Sequence, residues 1–197
     1  MMKKYALSIC LLFLIVVMAT FQHTQIPKKE ANAWPHLPAP LGNGKILITS
    51  AGQAIDGYIL ESMTKELHIE ADYRPRVLAT DVYEYNTVLF VVGYSPTGLL
   101  FTDRTWMEEE QRIRLLLQEI AVKKMPVIVV HMSGFNRTES STNYLIDLIA
   151  PHTDYFIGLR SSDRLQRYRR LAQRYNFPIT FVEKIEHIKT PLNSVFR

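Results

Sequence analysis

Four runs of this chain are apolar at consecutive rather than alternate positions: Ile46-Leu47-Ile48, Val88-Leu89-Phe90-Val91-Val92, Val127-Ile128-Val129-Val130 and Tyr155-Phe156-Ile157. A strand that is apolar on both sides must be covered on both sides, the condition of a central parallel strand rather than of a hairpin. Between these runs lie segments with helical period. Strands are predicted over 45–50, 73–78, 87–93, 126–131, 154–158 and 179–182, with helices over 54–69, 105–124, 140–150 and 163–175. Pro75 puts the second strand near an edge, because proline cannot donate to a ladder. Asp81 is placed to cap a single turn running through Tyr85. Alternation of this kind predicts an α/β fold with one doubly wound, mostly parallel sheet, a Rossmann-like or flavodoxin-like three-layer sandwich.

Individual helices carry sharper signals. Ile55, Ile59, Met63 and Leu67 recur every fourth residue and are expected to face inward. Thr105 and Glu108 have the spacing of a capping box. Behind them Ile113, Leu116, Leu117 and Ile120 form the inner face, while Glu108–Arg112 and Glu110–Arg114 are expected as outer i,i+4 pairs. On the last long helix, Arg164, Arg167, Arg170 and Arg174 form a basic stripe opposite Leu165, Tyr168, Leu171 and Tyr175. Beyond Glu183 no period is evident, and Pro191 argues against much regular structure.

The first 33 residues have the three parts of an export signal: Lys3 and Lys4, an apolar run from Tyr5 to Phe21, and Ala31-Asn32-Ala33. The alternative is an uncleaved membrane anchor through residues 5–21, a length at the lower edge of a bilayer span. Either reading places the folded part outside the cytoplasm, secreted or tethered to the outer face of the membrane. Trp34 to Leu41 contains three prolines, so residues 34–44 are expected to be an extended linker, with the α/β domain at 45–192 and a tail at 193–197. Cys10, the only cysteine, lies within the apolar run, so an exported domain would have no disulfide. The net charge of +4 is mostly that of the leader, where four lysines face one glutamate, which leaves the remainder near +1. Such a balance gives no support to nucleic-acid binding.

In open α/β sheets, ligands sit beyond the carboxyl ends of the strands. The first strand runs into Thr49-Ser50-Ala51-Gly52-Gln53, a small polar turn before a helix, where backbone N–H groups suit an anion. Other strand ends supply Ser95, His131, Ser133 and, in the following loop, Arg137. The expected binding set is therefore Ser50, Gly52, Gln53, Ser95, His131, Ser133 and Arg137, with a small anionic molecule as the partner. No Gly-x-Gly-x-x-Gly fingerprint or Walker loop follows the first strand, and no metal-ligand spacing is present. Gly93-Tyr94-Ser95 fails as a nucleophile elbow: Gly98 falls one residue late, and Pro96 has no N–H for an oxyanion. No catalytic residue, metal or cofactor is assigned. A hydrolase or flavin enzyme at the same edge, and a cell-envelope interaction protein using the arginine stripe, are the alternatives.

Ile48-Thr49-Ser50-Ala51-Gly52-Gln53, the strand end Val91-Val92-Gly93-Tyr94-Ser95, and His131-Met132-Ser133-Gly134 with Arg137 together resemble a family of uncharacterised exported bacterial α/β proteins. The resemblance covers about residues 45–192 and implies the fold and export. Relatives tend to carry a lysine and a glycine–alanine-rich turn after the third-strand motif, where this chain has Pro96-Thr97-Gly98-Leu99-Leu100-Phe101. A paired arginine after the histidine loop is reduced here to Arg137.

Overall fold

The computed structural model describes residues 33–133, 140–163 and 165–197. Cys10, the expected leader, Arg137 and Arg164 lie outside these residues. Among the described residues no helix is long and apolar enough to cross a membrane.

Six parallel strands form one open sheet: β1 (Ile46–Ala51), β2 (Ala71–Tyr73), β3 (Thr87–Val92), β4 (Val127–His131), β5 (Tyr155–Leu159) and β6 (Ile179–Val182). Their order is β2-β1-β3-β4-β5-β6. The chain reverses its direction of travel across the sheet at β1, so the switch point is the β1/β3 crevice. Every residue of β1, β3, β4 and β5 is buried, as the consecutive apolar runs require.

The two faces are separate cores. Val88, Phe90 and Val92 of β3 pack with Ile113, Leu116, Leu145, Ile146 and Tyr168. These come from α3 (Trp106–Lys123), α4 (Ser140–Ile149) and α5 (Arg167–Tyr175). Leu89 and Val91 face the opposite way, onto Leu60, Met63, Ile188 and Leu192. Those belong to α1 (Asp56–Glu66), to a 3₁₀ turn, and to α6 (Lys189–Ser194). This is the predicted three-layer α/β sandwich.

Five local expectations are corrected. The second strand lies at Ala71–Tyr73 rather than over 73–78, so Pro75 falls just beyond it, although β2 is an edge strand as expected. The inner face of α1 is carried by Gly57, Leu60 and Met63, while Ile55 is 64% and Ile59 39% exposed. The cause is Gly57: a Cβ there would lie 2.2 Å from the Tyr73 ring, so the backbone must approach β2 at this point and the apolar stripe turns outward. A helix α2 (Pro96–Phe101) follows β3, capped by Ser95 with proline in its first turn, a start signal that the sequence carries. Leu165 is 81% exposed, because α5 begins only at Arg167 and its buried residues are Tyr168 and Ala172. Beyond Glu183 the chain is regular: Pro191 sits in the first turn of α6, where its missing N–H costs nothing, and Leu192 and Val195 are buried.

Ala33 and Trp34 lie along the β6 edge, and Leu37, Leu41 and Gly42 bond to Ser194 and Val195 near the C-terminus. Ala33 bridges Ile179, Trp34 N–H donates to the Ile179 carbonyl at 3.0 Å, and the Thr180 hydroxyl donates to the Trp34 carbonyl at 2.6 Å. Leu37 is 5% exposed, and its N–H donates to Ser194 Oγ at 3.0 Å.

Candidate functional site

The β1 and β3 loops are locked together at the switch point. Ala54 N–H donates to the Gly93 carbonyl (3.1 Å), and Ser95 N–H to that of Gly52 (2.8 Å). Glycines allow this approach: a Cβ on Gly98 would lie 2.0 Å from the Gln53 carbonyl oxygen, and one on Gly93 2.9 Å from Ala54.

The N–H of Gly52 points at a carboxylate, as the loop sequence predicts, but the carboxylate is Glu109 of α3 at 3.0 Å. Gln53 Nε2 donates to both Glu109 oxygens, at 3.0 and 3.1 Å, and to the Pro75 carbonyl at 3.0 Å. Arg112 completes the cluster. Its Nε and Nη2 hold Glu109 at 2.8 and 2.7 Å, Nη2 also reaches the Ser50 carbonyl, and Nη1 reaches the Val77 carbonyl and Thr49 Oγ1. All five guanidinium N–H groups are used. Arg112 and Glu109 are 2% and 0% exposed, so the expected outer pair of Arg112 with Glu108 does not form; Glu108 instead accepts from Thr105. Burial pushes the Glu109 carboxyl up, but Arg112, with Gly52 and Gln53, outweighs it and holds the group below its ordinary value. A carboxylate fixed in this way fastens the loop and has no proton to exchange near neutral pH.

Other expected site residues divide between structural and open roles. Ser50 faces β2, where its hydroxyl donates to the Ala54 carbonyl (3.2 Å) and meets Tyr73 Oη (3.1 Å). Ser95 Oγ accepts Gly98 N–H at 3.0 Å as the cap of α2. Ser133 Oγ donates to the carboxylate of Asp56, a residue of the first helical turn that sequence reasoning passed over. Asp56 lies directly after the small-residue loop, which was the available signal.

His131 is completely buried at the end of β4. Its Nδ1 is 2.9 Å from the Val92 carbonyl, which can only accept, so Nδ1 carries the proton. Nε2 is buried with no hydrogen-bond partner among the described residues. Burial lowers the His131 pKa, against smaller upward pulls from the Val92 carbonyl and the Asp56 charge, so the ring is neutral and Nε2 presents a bare lone pair. Because the unfolded histidine titrates near ~6.5, the unfolded chain takes up more protons below that pH. The contribution of His131 is therefore complete at about pH 7.5 and is lost as pH falls through ~6.5, at up to about 1.4 kcal/mol per pH unit. Denaturant titrations from pH 8 to 5.5 should show this slope, and His131→Gln should flatten it. An unchanged slope in that variant would mean that His131 titrates alike in the folded and unfolded chains.

Near the β3 end, Tyr94 stands edge-on to Trp106 (5.4 Å), which in turn meets Tyr144 (5.8 Å). Tyr94 and Trp106 are half-buried and Tyr144 is exposed. Among the described residues no group of three or more histidine, cysteine or acidic side chains is arranged to hold a metal ion.

A family profile described as Domain of unknown function (DUF6305) matches residues 43–196. The chain belongs to that family. No curated protein matches it. Among solved structures, the chain is similar to AlinE4, a SGNH-hydrolase family esterase, at 12% identity over 79% of this chain and 80% of that one, with a TM-score of 0.30. A mutant of the same esterase aligns at 13% identity, 79% and 80% coverage, and a TM-score of 0.30. Similarity at this level assigns neither activity nor catalytic residues to the present family member.

Proposed function

We propose that this domain is an extracytoplasmic binding module for a small molecule, taken at the β1/β3 switch point and accessory to transport or sensing. The bare Nε2 of His131 carries the reading. A buried acceptor with no donor costs about 1–3 kcal/mol, and such a group is retained where it serves something other than stability. Export is supported by the leader pattern of Lys3, Lys4, residues 5–21 and Ala31-Asn32-Ala33.

The chemistry at this edge favours a ligand that brings hydrogen-bond donors. Glu109 already occupies the Gly52 and Gln53 donors that an anion would use. His131 Nε2 is an acceptor at this edge, beside the Asp56 carboxylate that accepts from Ser133. Tyr94, Trp106 and Tyr144 add an amphipathic aromatic wall of the kind that packs against the C–H faces of polyols and sugars. A hydroxyl-rich or ammonium-bearing molecule fits these groups better than a simple anion.

The test is a thermal-shift screen of two panels, sugars with polyols and amines, and carboxylates with phosphates. A donor-rich compound at about 100 times its Kd should raise Tm by roughly 5–10 °C. His131→Phe, which removes that acceptor, should lose most of that shift. If neither panel stabilises the protein, or if the shift survives intact in His131→Phe, the reading fails.

A further inference from the structure

We propose that α5 carries a second, independent site, a cleft that binds a phosphate group. Arg167, Arg170 and Arg174 recur at i, i+3 and i+7 and so share one helix face. With Leu171, Tyr175 and Asp147 of α4 they line a cleft of about 450 Å³, within the range of small-molecule sites. Three guanidinium groups and one carboxylate give it a local charge of +2.

The arginines of this helix are not equivalent. Arg169 is spent on structure: it lies 3.4 Å from the buried Asp163 carboxylate and stacks on Phe181 at 4.8 Å. Arg167 pairs with Asp147, yet among the described residues its buried Nε has no acceptor. Arg170 is exposed and donates from Nη1 to the Leu165 carbonyl at 2.6 Å. Arg174 is also exposed and lies over the Tyr175 ring at 5.4 Å. Solvated arginines on a flat helix would repel one another across a single turn; here they converge on a concavity with an apolar wall of Leu171 and Tyr175.

Phosphate matches this arrangement in charge and shape. A monoester carries about −1.5 to −2 near neutral pH, which balances the +2 of the cleft. Its oxygens accept paired N–H groups from the planar guanidinium fork. The organic part of the ligand would lie against Tyr175 and Leu171. The cleft shares no residue with the β1/β3 edge, so the two sites stand or fall separately.

Calorimetric titration of the full protein at physiological salt, with pyrophosphate and with glucose 6-phosphate, tests the soluble source. Sedimentation with phosphatidic acid vesicles tests the lipid source. Binding in either arm, weakened at least tenfold by Arg170→Gln with Arg174→Gln, supports the site and identifies where the phosphate comes from. Both side chains are exposed, so Tm should stay within about 2 °C of the parent. Arg160→Gln, an exposed arginine paired with Glu183, should leave affinity within about twofold and so controls for general attraction. No binding in either arm overturns the proposal. So does binding that ignores the double variant, or citrate binding as tightly as pyrophosphate.

Discussion

Arg112→Met is expected to destabilise the domain by about 3–5 kcal/mol, a fall in Tm of roughly 6–20 °C. The substitution keeps most of the aliphatic stem but removes five N–H groups. It leaves the Glu109 carboxylate, 0% exposed, without its cation, and the carbonyls of Ser50 and Val77 without a donor. One partner of a buried pair cannot be removed cheaply, because the charge left behind has no water to return to. Glu109→Gln should also destabilise, since it leaves the Arg112 charge buried without its counter-ion, although an amide oxygen can still accept from Gly52 and Gln53. Acid probes the same cluster. The Glu109 carboxyl is held below its unfolded value, so its contribution is complete above about pH 5 and is lost as pH falls through the folded pKa. Denaturant melts of parent and Glu109→Gln should therefore draw together progressively as pH falls below the unfolded carboxyl value of ~4.3. A Tm for Arg112→Met within about 2 °C of the parent would show that the cluster contributes little.

Gly52→Val should be nearly as damaging, at about 2–5 kcal/mol. Gly52 has φ +94°, and a Cβ there would lie 2.6 Å from the Gly93 carbonyl oxygen and 2.8 Å from Leu145. A left-handed conformation costs an L-residue about 1–2 kcal/mol, and forced overpacking about 1–3 more. The backbone atom in the way is the carbonyl of Gly93, just past the end of β3, which is tied to β1 and its loop through Ala51 and Ala54 and cannot yield without breaking those bonds. Relief by rotating the peptide would pull Gly52 N–H from Glu109, so strain and hydrogen bonding fail together. Urea denaturation measures the loss. If Gly52→Val and Gly52→Ala have midpoints equal to the parent, the loop is not constrained as described.

Both effects arise at a place that the sequence marked for a different reason. Ile48–Gln53 was legible as a strand, a turn and a seat for negative charge, and all three are present. The identity of the anion was hidden because it comes from a helix more than fifty residues further on. A signal was nevertheless available. Carrying the apolar spacing of Ile113, Leu116, Leu117 and Ile120 back by one turn lands on Glu109 and Arg112, charged residues on an inward stripe. Two charges on a buried face have to meet each other, and at i,i+3 they do.

The strands buried on both faces were read well because covering both faces leaves an unmistakable composition, whereas the half-buried second strand was placed several residues too late; the start of α3 was legible because Thr105 and Glu108 satisfy each other locally. The orientation of α1 was not legible. It depends on Gly57 meeting Tyr73 of another strand, and periodicity within one helix holds no record of its neighbour. The same limit applies to His131: its position at a strand end was plain, but the bare nitrogen depends on which carbonyl its other nitrogen finds.

The strip along β6 has a consequence for how the protein can be processed. The family shares residues 43–196, yet the sheet border is guarded by the residues just before that segment. A cut after Ala33, where Ala31-Asn32-Ala33 predicts one, would leave Trp34 with its bonds to Ile179 and Thr180. A cut only a few residues later would strip the backbone of β6 and lift Leu37 from its slot beside Ser194. Maturation would then produce a chain able to recruit strands from its neighbours. If the chain is cleaved in this region, the exact position of the cut decides whether the β6 edge stays covered.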